Sequence, residues 1–192
     1  MANLHIVAMI GSRRPGNATA KALAVTVDEL RQNGGIEVDV VDPAGLDLCT
    51  PGAQDPELVK MLQQKVTAAT GVILATPEYH GSYSSVIKLL IEHLGYPSML
   101  SGKPVALLGV AAGAIGAIKS LEHLRSVCSH VGAIVLPGPV SVASVHHAFD
   151  AEGNCTDPGV EKRLRGLARN LNDYIHQNIC PRVALEQMVR EG

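Results

Sequence analysis

The chain has 192 residues, of which 46% are hydrophobic and 18% charged, a composition typical of one globular domain rather than of a disordered chain. Its formal net charge is −2 and it has no block of basic residues, which argues against nucleic acid or an anionic membrane surface as the main partner. No apolar run approaches the roughly 20 residues that a membrane-spanning helix needs.

Hydrophobic patterning predicts strands that alternate with helices along the whole chain. Short continuous apolar runs indicate buried strands, and apolar residues three to four positions apart indicate amphipathic helices. In chain order, we predict a strand at 4–10, a helix at 18–32, a strand at 36–41, a helix at 56–69, a strand at 71–75, a helix at 84–95, a strand at 104–110, a helix at 118–130, a strand at 133–136, and a last long helix that starts near residue 160 and ends before Pro181.

This alternation predicts right-handed βαβ units, and therefore a parallel sheet with helices on both faces. Five strands in this order fit a flavodoxin-like, doubly wound α/β fold with three α/β/α layers and strand order 2-1-3-4-5. The switch point of that order lies between strands 1 and 3, so the loops after these strands should share one crevice. We expect a single domain over residues 1–180 and a C-terminal tail over residues 181–192.

The loop after the first strand, residues 11–19, has the features of a phosphate site. Its glycines allow a tight turn, and the amides at the start of the next helix favour an anion. Ser12, Asn17 and Thr19 can donate hydrogen bonds, and Arg14 adds a charged, forked donor. The loop matches neither common nucleotide-binding glycine motif. A plain strand-to-helix turn with a capping Asn or Thr is the alternative interpretation.

The most informative stretch is Ala75-Thr76-Pro77-Glu78-Tyr79-His80-Gly81-Ser82-Tyr83, between a buried strand and an amphipathic helix. A polar, aromatic, glycine-containing loop therefore follows a core strand at its carboxyl end. Open α/β sheets bind their ligands at that edge.

These segments resemble the NADPH-dependent FMN reductase family. Residues 77–82 are similar to the family's Pro-Glu-Tyr-Asn-Gly-Ser flavin loop, with His80 in place of the usual Asn, and residues 11–14 fall on its Gly-Ser-x-Arg pattern. Lys88 falls in the family's Leu-Lys-Asn helix, and residues 121–136 carry its Leu-Arg and Gly-Ala-x-Val-Leu-Pro features. The resemblance covers about residues 4–136.

The resemblance implies an FMN cofactor, NADPH or NADH as the electron donor, no metal and no catalytic side chain, because FMN carries the chemistry. By the same resemblance, the FMN phosphate would be held by Ser12, Arg14, Asn17, Ala18 and Thr19, the ring platform would be formed by Pro77, Glu78, Tyr79, His80, Gly81 and Ser82, and a third contact would come from Ala112, Gly113 and Gly116.

Three of these assignments have alternatives. Glu78 could be a buried acid, although we expect it to stabilise its turn. His80 could donate a hydrogen bond to the flavin or titrate near neutrality, or it could be structural. The glycines of residues 111–117 could serve tight helix–sheet packing alone.

We expect an oxidoreductase that passes hydride by a ping-pong mechanism from NAD(P)H to flavin N5 and on to a flavin, quinone or similar small acceptor. A flavodoxin-type electron carrier is the alternative. Flavodoxins typically have a Thr-rich phosphate loop, aromatic residues over the ring and a strongly acidic surface, whereas this chain is only 3% aromatic and nearly neutral.

Other classes fit less well. Asp42 ends the second strand, where a ribose-binding acid would lie in a nicotinamide-binding domain, but an Asp before Pro43 is an ordinary turn residue. A serine hydrolase of the α/β type would need a Gly-x-Ser-x-Gly motif, which this chain lacks. The adjacent His146 and His147 would diverge in an extended segment, which argues against a metal site there.

The resemblance also implies a homodimer or homotetramer, with the helix at 84–95 and residues 96–100 as the contact surface and Lys88 in a structural or interface ion pair. The N-terminal sequence has no basic region or cleavage site of a secretory signal. The four scattered cysteines indicate free thiols in a reducing cytoplasm.

Overall fold

A mostly parallel sheet between two layers of helices organises the molecule, as seen in a computed structural model that describes residues 4–191. The elements in chain order are β1 (Leu4–Ile10), α1 (Ala18–Gln32), β2 (Ile36–Val41), α2 (Pro56–Ala68), β3 (Gly71–Tyr79), β4 (Ser82–Tyr83), α3 (Ser85–Glu92), β5 (Pro104–Val110), α4 (Ile118–His130), β6 (Ile134–Val135), β7 (Val140–Val142), α5 (Pro158–Tyr174) and α6 (Cys180–Glu191). No helix within the described residues is both long enough and apolar enough to cross a membrane.

The strand order confirms the predicted doubly wound topology. The sheet runs β2-β1-β3-β5-β6, and these strands are parallel. In the numbering used for the five predicted strands this is 2-1-3-4-5. β1 and β3 are neighbours, with Ile6 opposite Gly71, so their carboxyl ends lie side by side.

The central strands are apolar throughout because both of their faces are buried. On β1, Ile6 and Ala8 face a core that also contains the inner faces of α1 and α5. Val7 and Met9 alternate with them and face a second core beneath α2, α3 and α4. All four of these side chains are at most 1% exposed.

The prediction of a loop over residues 75–83 is wrong. β3 continues to Tyr79 and pairs antiparallel with β4, so the stretch is a β-hairpin with His80 and Gly81 at its turn. The predicted helix at 84–95 is shorter than expected, since Ser84 caps α3 and the helix ends at Glu92. Polar residues in the hairpin hide the strand from a search for apolar runs.

The end of the chain differs from its prediction in two places. The expected fifth strand is two short pieces, β6 and β7, which both pair with β5 on either side of Pro137-Gly138-Pro139. The last helix does not end before Pro181, because a π-helical turn (Ile175–Ile179) leads directly into α6. Pro181 comes directly after this π turn, in which hydrogen bonds run five residues back, as from Cys180 N to Ile175 O. The predicted tail is therefore helical as far as Glu191.

Candidate functional site

A cavity of about 400 Å³ opens at the carboxyl edge of the sheet, where β1, β3 and β5 end. Nine of the predicted site residues line it, namely Ser12, Arg14, Asn17, Ala18, Thr19, Pro77, Glu78, Tyr79 and Ala112. The other five predicted residues, His80, Gly81, Ser82, Gly113 and Gly116, lie outside its lining. The structure thus brings the phosphate loop together with the strand arm of the hairpin and the first residues after β5.

The loops after β1 and β3 are in direct contact, as the topology predicts. Gly11 N donates a hydrogen bond of 2.7 Å to Ala75 O, and Ser84 Oγ donates one of 2.6 Å to Gly11 O. A Cβ atom on Gly11 would lie 2.6 Å from that Ala75 oxygen, so a side chain there would force the loops apart. Gly11 therefore permits the approach that closes this end of the crevice.

Asn17 shapes the start of α1. Its Oδ1 atom accepts a hydrogen bond of 2.8 Å from Ala20 N, and its Nδ2 atom donates one of 2.8 Å to Arg14 O. Both ends of the amide are thus used within the loop, as the capping interpretation describes. Ala18 and Thr19 follow in the first turn of the helix, where backbone amides have no partner within the helix and can bind an anion.

Ser12, Arg14 and Thr19 line the same cavity. Ser12 and Thr19 line the cavity although they are only 3% and 1% exposed. The Arg14 guanidinium carbon lies 5.2 Å from the centre of the Tyr79 ring, a cation–π distance. Arg14 and Tyr79 thus connect the phosphate loop with the hairpin.

The hairpin turn explains the histidine at position 80. His80 has φ 51° and Gly81 has φ 75°, so both residues of this two-residue turn are left-handed. This is the pattern of a type I′ turn, which prefers Asn-Gly, and His is one of the few other residue types enriched at positive φ. His80 therefore meets the same backbone requirement as Asn.

The outer side of the hairpin is fastened to α4. Glu78 Oε2 accepts a hydrogen bond of 3.0 Å from Ser120 N, and Ser82 Oγ lies 3.0 Å from His123 Nδ1. Glu78 thus stabilises the start of a neighbouring helix rather than its own turn.

The two predicted glycines after β5, Gly113 and Gly116, differ in how closely their surroundings pack against them. Gly116 has φ 81°, and a Cβ atom there would collide with Ser141 Oγ, which accepts a hydrogen bond of 2.8 Å from Ala117 N. Nothing lies within 4 Å of a Cβ atom placed on Gly113. These contacts favour the packing interpretation for Gly116.

Sequence reasoning missed one wall of the cavity. Val145, His146 and Phe149 line it from the connection between β7 and α5, and Lys21 lines it from α1. Lys21 Nζ donates a hydrogen bond of 2.8 Å to Asp150 O, which fixes this connection against α1. No motif marks these residues, although Phe149 is the one Phe of the chain.

The features behind the weaker alternatives have structural explanations. Asp42 Oδ1 accepts a hydrogen bond of 2.9 Å from Ala44 N, so Asp42 is the turn residue expected before Pro43. Among residues 4–191, no group of three or more His, Cys, Asp or Glu side chains is arranged to hold a metal ion.

Comparison with known proteins gives consistent matches. The family described as NADPH-dependent FMN reductase matches residues 4–148. An NAD(P)H-dependent FMN reductase of Pseudomonas aeruginosa is 29% identical over 181 residues, which cover 91% of this chain and 97% of that protein. A 2-hydroxy-1,4-benzoquinone reductase of a Burkholderia species is 30% identical, with coverage of 84% and 91%.

Solved structures agree with these sequence matches. The flavoenzyme NAD(P)H:(acceptor) oxidoreductase FerB of Paracoccus denitrificans superposes with a TM-score of 0.77 at 28% identity, over 91% of this chain and 98% of that one. An oxidoreductase of Corynebacterium diphtheriae superposes with a TM-score of 0.75 at 20% identity, over 93% and 100% of the two chains, a likeness of fold.

Proposed function

Because the chain belongs to the NADPH-dependent FMN reductase family, we propose that the cavity at the carboxyl edge of its sheet is the FMN site. Membership makes the chain an FMN-dependent NAD(P)H oxidoreductase rather than an electron carrier without enzymatic activity. When bound, FMN would supply the hydride- and electron-transfer chemistry between NAD(P)H and an acceptor. The protein supplies binding, orientation and electrostatics.

The donors at one end of the cavity fit a phosphate group. The lining residues that carry donors are Ser12, Arg14, Thr19 and Lys21, together with Ala18 in the first turn of α1. Among the described residues that line it, Glu78 has the sole carboxylate, and that carboxylate is already hydrogen-bonded to Ser120 N. The convergence of these donors with the hairpin in one cavity is the observation that carries the assignment.

The remaining walls fit a flat ring. Pro77, Tyr79, Ala111 and Ala112 line the rest of the cavity, where β3 and β5 end side by side. Tyr79 is 39% exposed, and the residues after β5 are small, which leaves room for a nicotinamide against the ring. This opening supports hydride transfer at an exposed flavin face.

Adjacent arginines allow a sharp test of the phosphate end. Arg14 lines the cavity, whereas Arg13 is exposed and lies outside its lining. We expect Arg14→Met to weaken FMN binding by about tenfold or more, because a charged hydrogen bond to phosphate is lost. We expect Arg13→Met to change the affinity by less than about twofold, because exposed charges contribute little.

Riboflavin has the same ring system as FMN but lacks the phosphate, so it serves as the control ligand for the phosphate contact. Its affinity, measured by quenching of flavin fluorescence, should be nearly the same for the wild type and Arg14→Met. Equal loss of riboflavin and FMN binding in Arg14→Met would contradict the orientation proposed here, and unchanged FMN binding would contradict the site.

For the second half-reaction we propose a quinone, a flavin or a similar flat acceptor in the place that the nicotinamide leaves. The quinone and azo compounds in the names of relatives support an acceptor of this size. Steady-state rates with NADPH and a benzoquinone should give parallel double-reciprocal lines, as a shared site requires. Intersecting lines would indicate a ternary complex and contradict the proposal.

We also propose a homodimer or homotetramer assembled through α3 and the residues after it. Val86 and Leu89 on α3 are only partly buried, and Tyr96 is 97% exposed. Lys88 forms an ion pair with Glu92 on the same helix, which leaves the apolar residues as the contact. Sedimentation equilibrium should give a multiple of the 20.2 kDa chain mass, and the mass of a single chain would contradict this assembly.

We further propose that the protein is located in a reducing compartment, the cytoplasm. It is supported by the four cysteines, which are all free thiols. Cell fractionation tests it, and recovery of the protein outside the cytoplasmic fraction would contradict it.

A further inference from the structure

The start of α4 takes its capping group from the hairpin. Ala117 occupies the cap position, and its methyl group can accept no hydrogen bond. Ser141 Oγ accepts from Ala117 N, while the amide of Ser120 donates to Glu78 Oε2 at 3.0 Å from 42 residues away in sequence. A carboxylate at a helix N-terminus also interacts favourably with the helix dipole. Glu78 thus does for α4 what a local Ser or Asp usually does.

Two further contacts hold the hairpin against the same helix. Ser82 Oγ is hydrogen-bonded to His123 Nδ1, one turn beyond Ser120. Gly81 lies over the stem of Lys119, since a Cβ atom placed there would be 3.5 Å from Lys119 Cδ. Both arms of the hairpin and its turn therefore rest on α4.

The base of the hairpin is fixed separately. Ser84 N donates a hydrogen bond of 3.0 Å to the buried Thr76 Oγ1, and Ser84 Oγ caps α3 through Ile87 N at 3.2 Å. Pro77 is held by its pairing with Val110 on β5, so the segment that remains to be positioned is residues 78–82, which places Tyr79 at the cavity. The Glu78 carboxylate is its first attachment beyond the base.

We propose that Glu78 is a positioning residue, which fixes the hairpin wall of the cavity by capping α4 and contributes to FMN binding through that contact. The inference deepens the proposed FMN site and depends on it for its ligand. If the hydrogen bond between Glu78 and Ser120 N is lost, the hairpin is displaced from α4 in a fraction of the molecules. The apparent affinity for FMN is then the intrinsic affinity multiplied by the fraction of molecules that can still bind FMN.

Substitutions at position 78 separate this role from a direct contact. Gln keeps an oxygen that can accept from Ser120 N, whereas Ala removes it. We expect Glu78→Ala to weaken FMN binding by about five- to tenfold, in line with the loss of a helix cap, and Glu78→Gln to recover affinity to within about threefold of the wild type. Glu122→Ala removes an exposed carboxylate from the same helix, and we expect a change below about twofold.

His123 offers a test outside the cavity. It does not line the cavity, so any effect of His123→Ala on FMN binding must travel through Ser82 and the hairpin. We expect a loss of about two- to threefold, the size of one exposed hydrogen bond. Near-ultraviolet circular dichroism confirms that each variant is folded.

Amide hydrogen exchange in the FMN-free protein tests the cap itself. The Ser120 amide should exchange at least about fivefold faster in Glu78→Ala than in the wild type, and the Gln variant should retain most of the protection. An unchanged Ser120 exchange rate in Glu78→Ala would overturn the cap. An FMN affinity as low in Glu78→Gln as in Glu78→Ala would overturn positioning in favour of a direct charge contact.

Loss of the FMN site and loss of the positioning role would give different experimental results. If the wild type binds no FMN, the proposed function is wrong and positioning of an FMN wall is overturned with it, while the exchange comparison still decides whether Glu78 caps α4. If the wild type binds FMN and Glu78→Ala binds it equally well, the FMN site stands and the positioning role is overturned.

Discussion

At the scale of single residues, the backbone conformation of position 80 decides which side chains it accepts. His80 lies at φ 51° in the hairpin turn, a region that costs a β-branched residue most. We expect His80→Asn to leave the free energy of unfolding within about 0.5 kcal/mol of the wild type, and His80→Val to lower it by about 1–2 kcal/mol. Urea unfolding measures both.

The same pair of variants tests whether the imidazole matters to the flavin. His80 does not line the cavity, so His80→Asn should bind FMN as the wild type does. Equal stability of the Val and Asn variants would contradict the explanation by turn conformation. Loss of FMN binding in the Asn variant would show that the imidazole contributes to FMN binding.

The sequence alone predicted the placement of residues that belong to local structure. Ser12, Arg14 and Thr19 could be located because they stand between a strand and a helix, where the geometry follows from the two elements. It failed for Lys21 and Phe149, since they reach the cavity only through packing between α1 and the connection before α5. The contact of Glu78 with Ser120 spans 42 residues and could not be predicted either.

At the scale of elements, charged side chains join α1 to α5. Arg165 Nη1 lies 2.8 Å from Asp28 Oδ2 and 3.2 Å from Glu29 Oε2. We expect Arg165→Met to lower the free energy of unfolding by about 0.5–1 kcal/mol at neutral pH, the size of a partly exposed ion pair. Arg163→Met, an exposed position on the same helix, should change it far less.

The effect of Arg165→Met should depend on pH in a defined direction. The hydrogen bond from Arg165, followed by that from Gln32, holds the pKa of the Asp28 carboxyl below its ordinary value of 3.8. A carboxyl with a lowered pKa in the folded state stabilises the protein above its unfolded pKa, and this stabilisation is lost as the pH falls through the folded pKa. The difference between variant and wild type should therefore shrink below about pH 4, and a difference that grows there would contradict the ion pair.

The last helix, α6, has several large apolar side chains that are exposed rather than packed against the rest of the fold. Ile175 and Ile179 on the π turn are buried, whereas Leu185, Met188 and Val189 on α6 are 62%, 69% and 81% exposed. We expect deletion of residues 181–192 to leave FMN binding unchanged and to lower the melting temperature by less than about 2–4 °C, the shift that 1 kcal/mol gives in a domain of this size.

Scanning calorimetry of the deleted chain tests this, together with the proposal that residues 1–180 are the FMN-binding domain. A chain that unfolds tens of degrees earlier, or that no longer binds FMN, would show that α6 belongs to the domain.

Element boundaries were predictable where hydrophobicity decides them. β1, α1, β2, β5 and α4 begin and end at the predicted residues because each is an uninterrupted apolar run or stripe between polar or glycine-containing breaks. β3 extends four residues beyond its prediction, since cross-strand pairing in the hairpin does not require apolar side chains. Pro181 follows a wider π turn and does not end the last helix, so the proline alone did not predict this boundary.

At the scale of the whole molecule, the order of elements alone was enough to predict where the cavity lies. Right-handed crossovers put β1 and β3 side by side, and their following loops meet at one edge of the sheet. The cavity lies there, although its fourth wall and its attachment to α4 became visible only in the structure.

The cavity is proposed to hold an FMN that NAD(P)H reduces. The most direct measurement is the absorption spectrum of the purified protein after incubation with FMN and desalting, followed by anaerobic addition of NADPH and, separately, of NADH. We expect the flavin to remain with the protein and its visible absorption to bleach within seconds with at least one of the two donors. Flavin that remains bound and is reduced by neither, or a protein that neither retains FMN nor turns it over, would contradict the account.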